Sequence, residues 1–388
     1  MSSVPLGPLH PAFKEPINFK LKLEGELVTD AEVRIGYAHR GIEKLGEKKT
    51  WIQFIFISEK ICGICSSSHQ GCYVQGVERL TGITPEKRGI YIRTLTWELE
   101  RMHSHLLWLG VLMHEIGLET MFMYTWRDRE RVLDVLEKLG GRRVAYSTIT
   151  YGGARRDLSD NLIQQVRRLS DFILERSKFY ENFILNDRRF LARTKGIGTL
   201  TKAEAEELSV VGPVARASGV PIDVRKTGYA AYADVPFEVV VEKDGDVNAG
   251  ALVRAKELRV SANIIKWIVE NLPQGKINVE VAPFSKLPEG EAVSRVEAPR
   301  GELFYYLKSN GSTNFERIKI RTPTLANIQA VAHTLKGHYL ADVPVIAAGI
   351  DPCMGCMDRV VILNEKGKEK IMTEAELVDY GIKWYEER

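Results

Sequence analysis

The chain has no long hydrophobic run. Its longest apolar stretches, Trp51–Ile57 and Leu340–Ile350, are broken by Gln53 and Asp342 and fall well short of the ~20 residues a membrane-spanning helix needs. It also has little net charge. Basic residues number 54 and acidic ones 51, a balance of +3, which excludes a nucleic-acid binder working through bulk charge. MSSVPLGPLHPAFKEP has no basic-then-apolar layout, so no leader is expected. There is no internal repeat and no low-complexity linker. Cysteine is scarce, with five in 388 residues. That is too few for a disulfide scaffold, and the spacing contains no ferredoxin-type run, so any iron–sulfur cluster must lie in other chains. With 44% apolar and 27% charged residues, the composition is that of a globular chain able to bury a sizeable core.

The few cysteines are unevenly placed. Cys62 and Cys65 form one CxxC pair and Cys353 and Cys356 another, while Cys72 stands alone. A CxxC turn aims two thiolates at one metal or redox centre. Structural zinc pairs usually lie within one small module, whereas these sit near opposite ends of the chain. A shared centre would clamp the two ends of a large domain together. Cys72 reads as a small buried hydrophobe.

Residues 17–37 alternate apolar and polar around Glu24-Gly25, predicting a β hairpin. From Gly41 the pattern is helical, and Trp97–Met113 is apolar nearly all round, as in a bundle core. Glycine pairs at 140–141 and 152–153 break it. Helix is expected again over 158–210, a short strand over 235–245 and a long helix over 249–271. Strands follow at 295–308 and 316–321, a solvated hairpin tip at Glu365–Lys370, and a last helix capped by Thr373 and Glu376. The expected fold is mainly α, one domain over 1–388. It has the hairpin at 17–37, a helical core at 41–290, and β strands, the second CxxC and the final helix in 295–388. His103 and His105 point to different sides of a helix and cannot share a metal; with His114, His333 and His338 they read as structural. Arg155, Arg156 and Asp157 read as fixing a turn or meeting a partner chain.

EKICGICSSSHQGCY (59–73) and DPCMGCMDR (351–359) resemble the paired signatures of the large subunit of nickel-iron hydrogenases. GPLHPAFKEP, GYAHRGIEKL, ERMHSHLLWLG, GGARRD, GPVARASG and EAPRGELFYYL resemble its membrane-bound, energy-converting branch. They equally resemble the related 49-kDa quinone-pocket subunit of complex I. The resemblance covers nearly the whole chain. It implies a [NiFe]-hydrogenase large-subunit-like helical bundle with small N-terminal and C-terminal β appendages. Implied partners are a small iron–sulfur subunit carrying the proximal cluster, a ferredoxin-like two-cluster subunit and a membrane ion-pumping arm. Ferredoxin would be the electron donor, with [4Fe-4S] clusters only in the adjacent subunits. The chain would sit peripherally on the cytoplasmic face of the membrane.

By the same resemblance, Cys62, Cys65, Cys353 and Cys356 are the ligands of a nickel-iron centre, or line an empty thiolate pocket. Arg300 of the PRG motif supplies a fixed cation, Glu15 relays protons, and Glu59 and His69 flank the first pair. Tyr73 matches a quinone-gripping tyrosine of complex I, but Lys14 replaces its histidine partner. Lys60 and Tyr305 depart from the hydrogenase pattern, which has arginine and histidine there. This mixture resembles the membrane-bound sulfane-sulfur reductases of archaea most. S–S bonds are cleaved by thiolate attack, which the four cysteines suit. Hydrogen evolution at a nickel-iron pair, quinone reduction, and a non-enzymatic coupler stapled by its cysteines are the alternatives.

Overall fold

The alternation near the N-terminus builds a three-stranded antiparallel sheet of β1 (Ser2–Leu6), β2 (Asn18–Glu24) and β3 (Leu27–Arg34), in that order. On β2, Phe19, Leu21 and Leu23 are buried while Lys20 and Lys22 face solvent, which is the period-2 pattern of a half-buried strand. The expected hairpin is present, extended by a first strand that its short sequence does not signal. The computed structural model describes residues 2–13, 15–281, 286–357 and 374–386.

Short helices α1 (Ile42–Lys48) and α2 (Trp51–Ser58) lead to the first CxxC. Thr50 and Gln53 close a reciprocal capping box on α2. Helix α3 (Ser66–Thr81) starts directly after Cys65, followed by α4 (Lys87–Glu115) and α5 (Glu119–Gly140). The two-residue strands β4 (Ile149–Thr150) and β5 (Gly153–Ala154) precede α6 (Asp160–Asn186), α7 (Arg188–Thr194), α8 (Lys202–Glu207) and α9 (Gly212–Ala217). Helix α10 (Val247–Glu270) completes the bundle, packing against α4 and α6 while α4 packs against α5.

Helix α4 is buried nearly all round, as its sequence implies, and Arg93, Glu98 and Arg101 on it are paired. Glu98 meets Arg101 and Arg225, and Arg93 meets Glu78 at 2.6 Å. Removing one member of such a pair typically costs about 3–5 kcal/mol, because the other charge is left buried alone.

The strand expected at 235–245 does not form. Phe237 packs beneath Arg225 and Lys226, and Val240 joins Ala217, Ala249 and Val253; isolated backbone bonds from the Glu242 and Gly245 amides to the Arg216 and Ala217 carbonyls hold the segment without a strand ladder. The strand expected over 295–308 is instead a hairpin, β6 (Gly290–Ala298) and β7 (Gly301–Ser309), with β8 (Phe315–Arg321) beyond it. Its tip falls at Pro299-Arg300. Helices α11 (Pro323–Leu335) and α12 (Val343–Gly349) then bring the chain to the second CxxC, and α13 (Glu374–Glu386) is the last helix. Thr373 and the hairpin tip at Glu365–Lys370 lie outside the described residues.

Candidate active site: a clasp of four cysteines

The two CxxC turns, nearly the length of the chain apart, meet in the core. Cys62 Sγ lies 3.6 Å from Cys353 Sγ, Cys65 Sγ 3.9 Å from Cys356 Sγ, and Cys353 Sγ 3.1 Å from Cys356 Sγ. All four are buried and none is in a disulfide. In the first turn, the amides of Ile64 and Cys65 both donate to Cys62 Sγ at 3.3 Å. The second turn is a single 3-10 turn, Met354–Cys356, and the Cys353 amide donates to Thr324 Oγ1 at 3.1 Å.

Two side chains that precede the first pair hold the turns. The Arg40 guanidinium donates to the carbonyls of Lys60, Ile61 and Gly355, so it holds both CxxC loops at once. Glu15 accepts the amides of Met354 and Gly355. The sequence marks Glu15 as a proton relay, and the structure places it against the second turn. Arg40 escapes sequence reasoning, although it lies in the GYAHRGIEKL string. Its signal is a fork of donors that fits several carbonyls at once.

Arg300 stands beside the start of the second CxxC segment. At the β6–β7 tip it donates from Nε to the Asp351 carbonyl, and its Nη2 lies 2.8 Å from Asp351 Oδ1. Its Nη1 and the Asp351 Oδ2 are buried without a partner. The tip is held by contact between two glycine backbones. A Cβ on Gly212, which has φ 70°, would sit 2.3 Å from Gly301 Cα and 2.4 Å from the Arg300 carbonyl. Asp351 itself has φ 58°, an uncommon backbone state for a residue other than glycine. Beside the Arg300–Asp351 pair lies a cavity of about 110 Å³, apolar on the side of Phe13, Leu107, Trp108 and Val111 and also lined by Glu15.

His69, one helical turn past Cys65, places Nδ1 2.9 Å from the Tyr305 hydroxyl, and its Nε2 has no partner. Burial pushes this imidazole down to about 4, so it is neutral near pH 7. Tyr73 lies in the core. Its hydroxyl donates to the Trp51 carbonyl at 2.6 Å and its ring packs against Phe54 and Phe315; it is a core residue that does not line the cavity. Lys14 lies outside the described residues. Lys60 pairs with Glu59, whose carboxylate also takes the amide and hydroxyl of Ser147. Glu59 thereby braces a loop in which Ala145 and Ser147 both have positive φ.

The other histidines are structural, as expected, and one does more. His105 bonds Glu257, His114 Glu119 and His333 Glu204, while His338 accepts from the Gly198 amide. His103 accepts from Arg129 Nε at its Nδ1, so its Nε2 carries the proton and donates to the Ile64 carbonyl inside the first CxxC turn. Cys72 packs against Ser294 and Leu303, and burial pushes its thiol up to about 12. Asp157 pairs with Arg88, and Arg155 reaches the Ser147 carbonyl.

The clasp concentrates negative charge on one sulfur. Cys62 is held well below the usual thiol range by hydrogen bonds from Cys353, Cys356 and Cys65. Cys356 is pushed up, chiefly by its bond to Cys353. Thiols this close suit a metal. With metal–sulfur bonds of about 2.3 Å, tetrahedral ligands sit about 3.7 Å apart, close to the separations found here. Soft thiolates favour late transition metals over hard cations.

Residues 115–285 and 281–359 match the family described as respiratory-chain NADH dehydrogenase, 49 Kd subunit, and residues 40–114 match nickel-dependent hydrogenase. The membrane-bound hydrogenase subunit alpha of Pyrococcus furiosus is 39% identical over 98% of this chain and 92% of its own length. The chain belongs to this hydrogenase and complex I subunit family. Within it, the carbon monoxide-induced hydrogenase of Rhodospirillum rubrum is 36% identical over 92% of this chain and 99% of its own. A chain of the membrane-bound sulfane sulfur reductase, an archaeal respiratory membrane complex, matches with a TM-score of 0.87 and 33% identity, covering 92% of this chain and 98% of that one. The family's fold is therefore the hydrogenase large-subunit bundle expected from the motifs, and its members are oxidoreductase subunits of membrane-bound respiratory complexes. Among the described residues no helix is long and apolar enough to cross a membrane.

Proposed function

We propose that this chain is the active-site subunit of a ferredoxin-fed, ion-translocating oxidoreductase whose Cys62, Cys65, Cys353 and Cys356 hold a nickel-iron pair, with protons as the terminal acceptor. The observation that carries this reading is a chain of four buried sulfurs whose successive neighbours lie 3.1–3.9 Å apart, with Cys62, Cys65 and Cys356 all within 4.8 Å of one another. Four thiols gain nothing from such crowding without a metal, because each further ionisation is opposed by the charge already there. When bound, the metal pair would supply the redox chemistry and hold the four thiolates ionised. The chain does the rest. Arg40 and Glu15 fix the two turns, Arg300 presents a permanent cation to the thiolates, and Asp351 orients that cation. Phe13, Leu107, Trp108 and Val111 keep one side of the adjoining cavity apolar, which suits a small apolar product such as dihydrogen. The small iron–sulfur subunit, the two-cluster subunit and the membrane arm are proposed partners. They would hold the chain at the cytoplasmic face.

Reduction of sulfane sulfur is the second reading. It is favoured by the match to the sulfane sulfur reductase and by Arg300, which lines the cavity and keeps its buried Nη1 without a partner; its cation would attract the anionic end of a sulfur chain. There the thiolates would exchange with substrate sulfur. Nickel content per large subunit of the purified intact complex separates the two. Near-stoichiometric nickel with hydrogen evolution supports the first reading. Polysulfide reduction by a nickel-free complex overturns it in favour of the second. A Cys356→Ser complex that assembles and keeps full turnover would overturn both and leave a structural staple.

A further inference from the structure

A buried cation near the clasp lacks a counter-charge. Arg254 on α10 is 1% exposed. Its Nη1 donates to the Gly250 carbonyl one turn earlier, at 3.0 Å, and its guanidinium lies over the Trp108 ring, 3.9 Å from the centroid. Nε and Nη2 have no hydrogen-bond partner. These two form one edge of the guanidinium plane, the pair of parallel donors that grips an anion. The acids that act on Arg254 through space are spent elsewhere. Glu257 pairs with Arg216 and His105, and Asp351 with Arg300. Burial pulls Arg254 down to about 10, so it keeps its charge near pH 7. A buried, unpaired charge is costly, and the contact with Trp108 offsets only part of that.

Space for a counter-ion lies beside it. A cavity of about 30 Å³, lined by Arg254 and by Gly198, Gly245, Gly250 and Gly349, opens between α10 and the end of α12. Gly250 places the guanidinium at its wall, for a Cβ there would stand 3.4 Å from Arg254 Nη1 and 3.9 Å from the Gly349 carbonyl oxygen. The volume suits a single monatomic ion or about two waters, and no organic substrate. The cavity also borders the first turn of α10, the positive end of that helix. Asp246 lines it too, but its two oxygens accept the amides of Ala249 and Gly196.

We propose that Arg254 and this cavity form a binding site for one halide-sized monovalent anion, held between Nε and Nη2. Water would fill the space and accept the donors, yet leave the charge unbalanced; a halide does all three. The site is distinct from the cavity beside Arg300. Gly349 and Ile350 border the one, Ala348 and Asp351 the other. The anion would therefore sit behind the segment that leads into the second CxxC turn and steady it, with no part in electron transfer.

The test uses the intact complex at constant ionic strength, with chloride replacing gluconate. The unfolding midpoint is expected to rise saturably, by about 2–4 °C at a tenfold excess of chloride over its dissociation constant. Crystals of the complex in bromide should show an anomalous peak within hydrogen-bond distance of Arg254 Nε and Nη2. Arg254→Met should abolish both signals. Should that variant fail to assemble, Gly250→Ala decides. Alanine is the better helix former, and its Cβ makes an ordinary contact while taking the room of the anion. That complex is expected to fold and to lose its response to chloride. A parental midpoint indifferent to chloride overturns the proposal. So does density beside Arg254 that carries no anomalous signal in bromide, which is ordered water, or a Gly250→Ala complex with the full chloride response. None of these readouts needs an assay of hydrogen or sulfur, so the site is tested independently of the acceptor.

Discussion

Arg40 and Gly355 are 315 positions apart and joined by a 2.6 Å hydrogen bond from the Arg40 guanidinium to the Gly355 carbonyl. The same guanidinium donates to Ile61 at 2.7 Å. One planar fork therefore sets the distance between the two cysteine turns, and with it the sulfur separations.

Arg40→Lys should separate charge from geometry. Lysine keeps the cation but not the fork, so it cannot satisfy carbonyls of both loops together. Loss of a group that orients metal ligands typically costs about 10–100-fold in affinity or activity. We expect a drop of that size in retained metal after gel filtration, and in turnover, from a chain that still folds. Full metal retention would mean that the clasp holds itself.

Gly212→Ala should act on Arg300 from a distance. The new Cβ would meet the Gly301 backbone at 2.3 Å and the Arg300 carbonyl at 2.4 Å, contacts that no side-chain rotation relieves. Its φ of 70° adds strain. The β6–β7 tip must shift, carrying Arg300 away from Asp351. Turnover is expected to fall at least tenfold, with a loss of about 1–3 kcal/mol in stability, read by steady-state kinetics and thermal melting. Parental kinetics would show that the tip tolerates displacement.

The clasp is legible in the sequence because the CxxC spacing and the PRG motif are local strings with a direct chemical meaning. The bundle is legible from the apolar breadth of Trp97–Met113. What escapes depends on contacts that join distant segments. Arg40 binds a carbonyl 315 residues away, Glu100 caps a helix from its neighbour, and His103 reaches into the CxxC turn through Ile64. None of these has a spacing to read. Tyr73 shows the converse. Its position in a motif implies a ligand contact, while its partner, the Trp51 carbonyl, is a backbone atom without a sequence signature.

Tyr73→Phe tests that placement. The hydroxyl gives one buried hydrogen bond to Trp51, an oxygen that Tyr151 also donates to at 2.6 Å. With Tyr151 still present, the carbonyl stays satisfied, and the loss should be about 1 kcal/mol. Turnover is expected to be unchanged and the melting temperature to drop slightly. A collapse of activity with intact folding would restore Tyr73 to a ligand-binding role and favour the quinone alternative.

Acid sensitivity follows from the buried imidazoles. Burial pushes His69 and His105 down to about 4 and His103 to about 3, against 6.5 for a free imidazole. In the folded chain they stay neutral as the pH falls through that interval, while in the unfolded chain they take up protons. The unfolded state therefore binds more protons between pH 6.5 and about 4, and stability, full above 6.5, is lost as the pH falls through this window. Each histidine contributes a slope of roughly 1.4 kcal/mol per pH unit within it. Glu100 opposes them. Its carboxyl titrates at about 8 when folded against 4.5 when free, so it binds a proton more readily in the folded chain and favours that state as the pH drops from 8 to 4.5. Three imidazoles outweigh one carboxyl, and below 4.5 the carboxyl no longer compensates. Thermal melts followed by circular dichroism should show the melting temperature falling from pH 6.5 to 4.5 and more steeply below. His105→Gln, which keeps a donor for Glu257 but cannot take up a proton, should flatten the slope between pH 6.5 and 4.5 by about half. A melting temperature that holds steady from pH 7 to 4.5 would mean that these histidines are already charged in the folded protein.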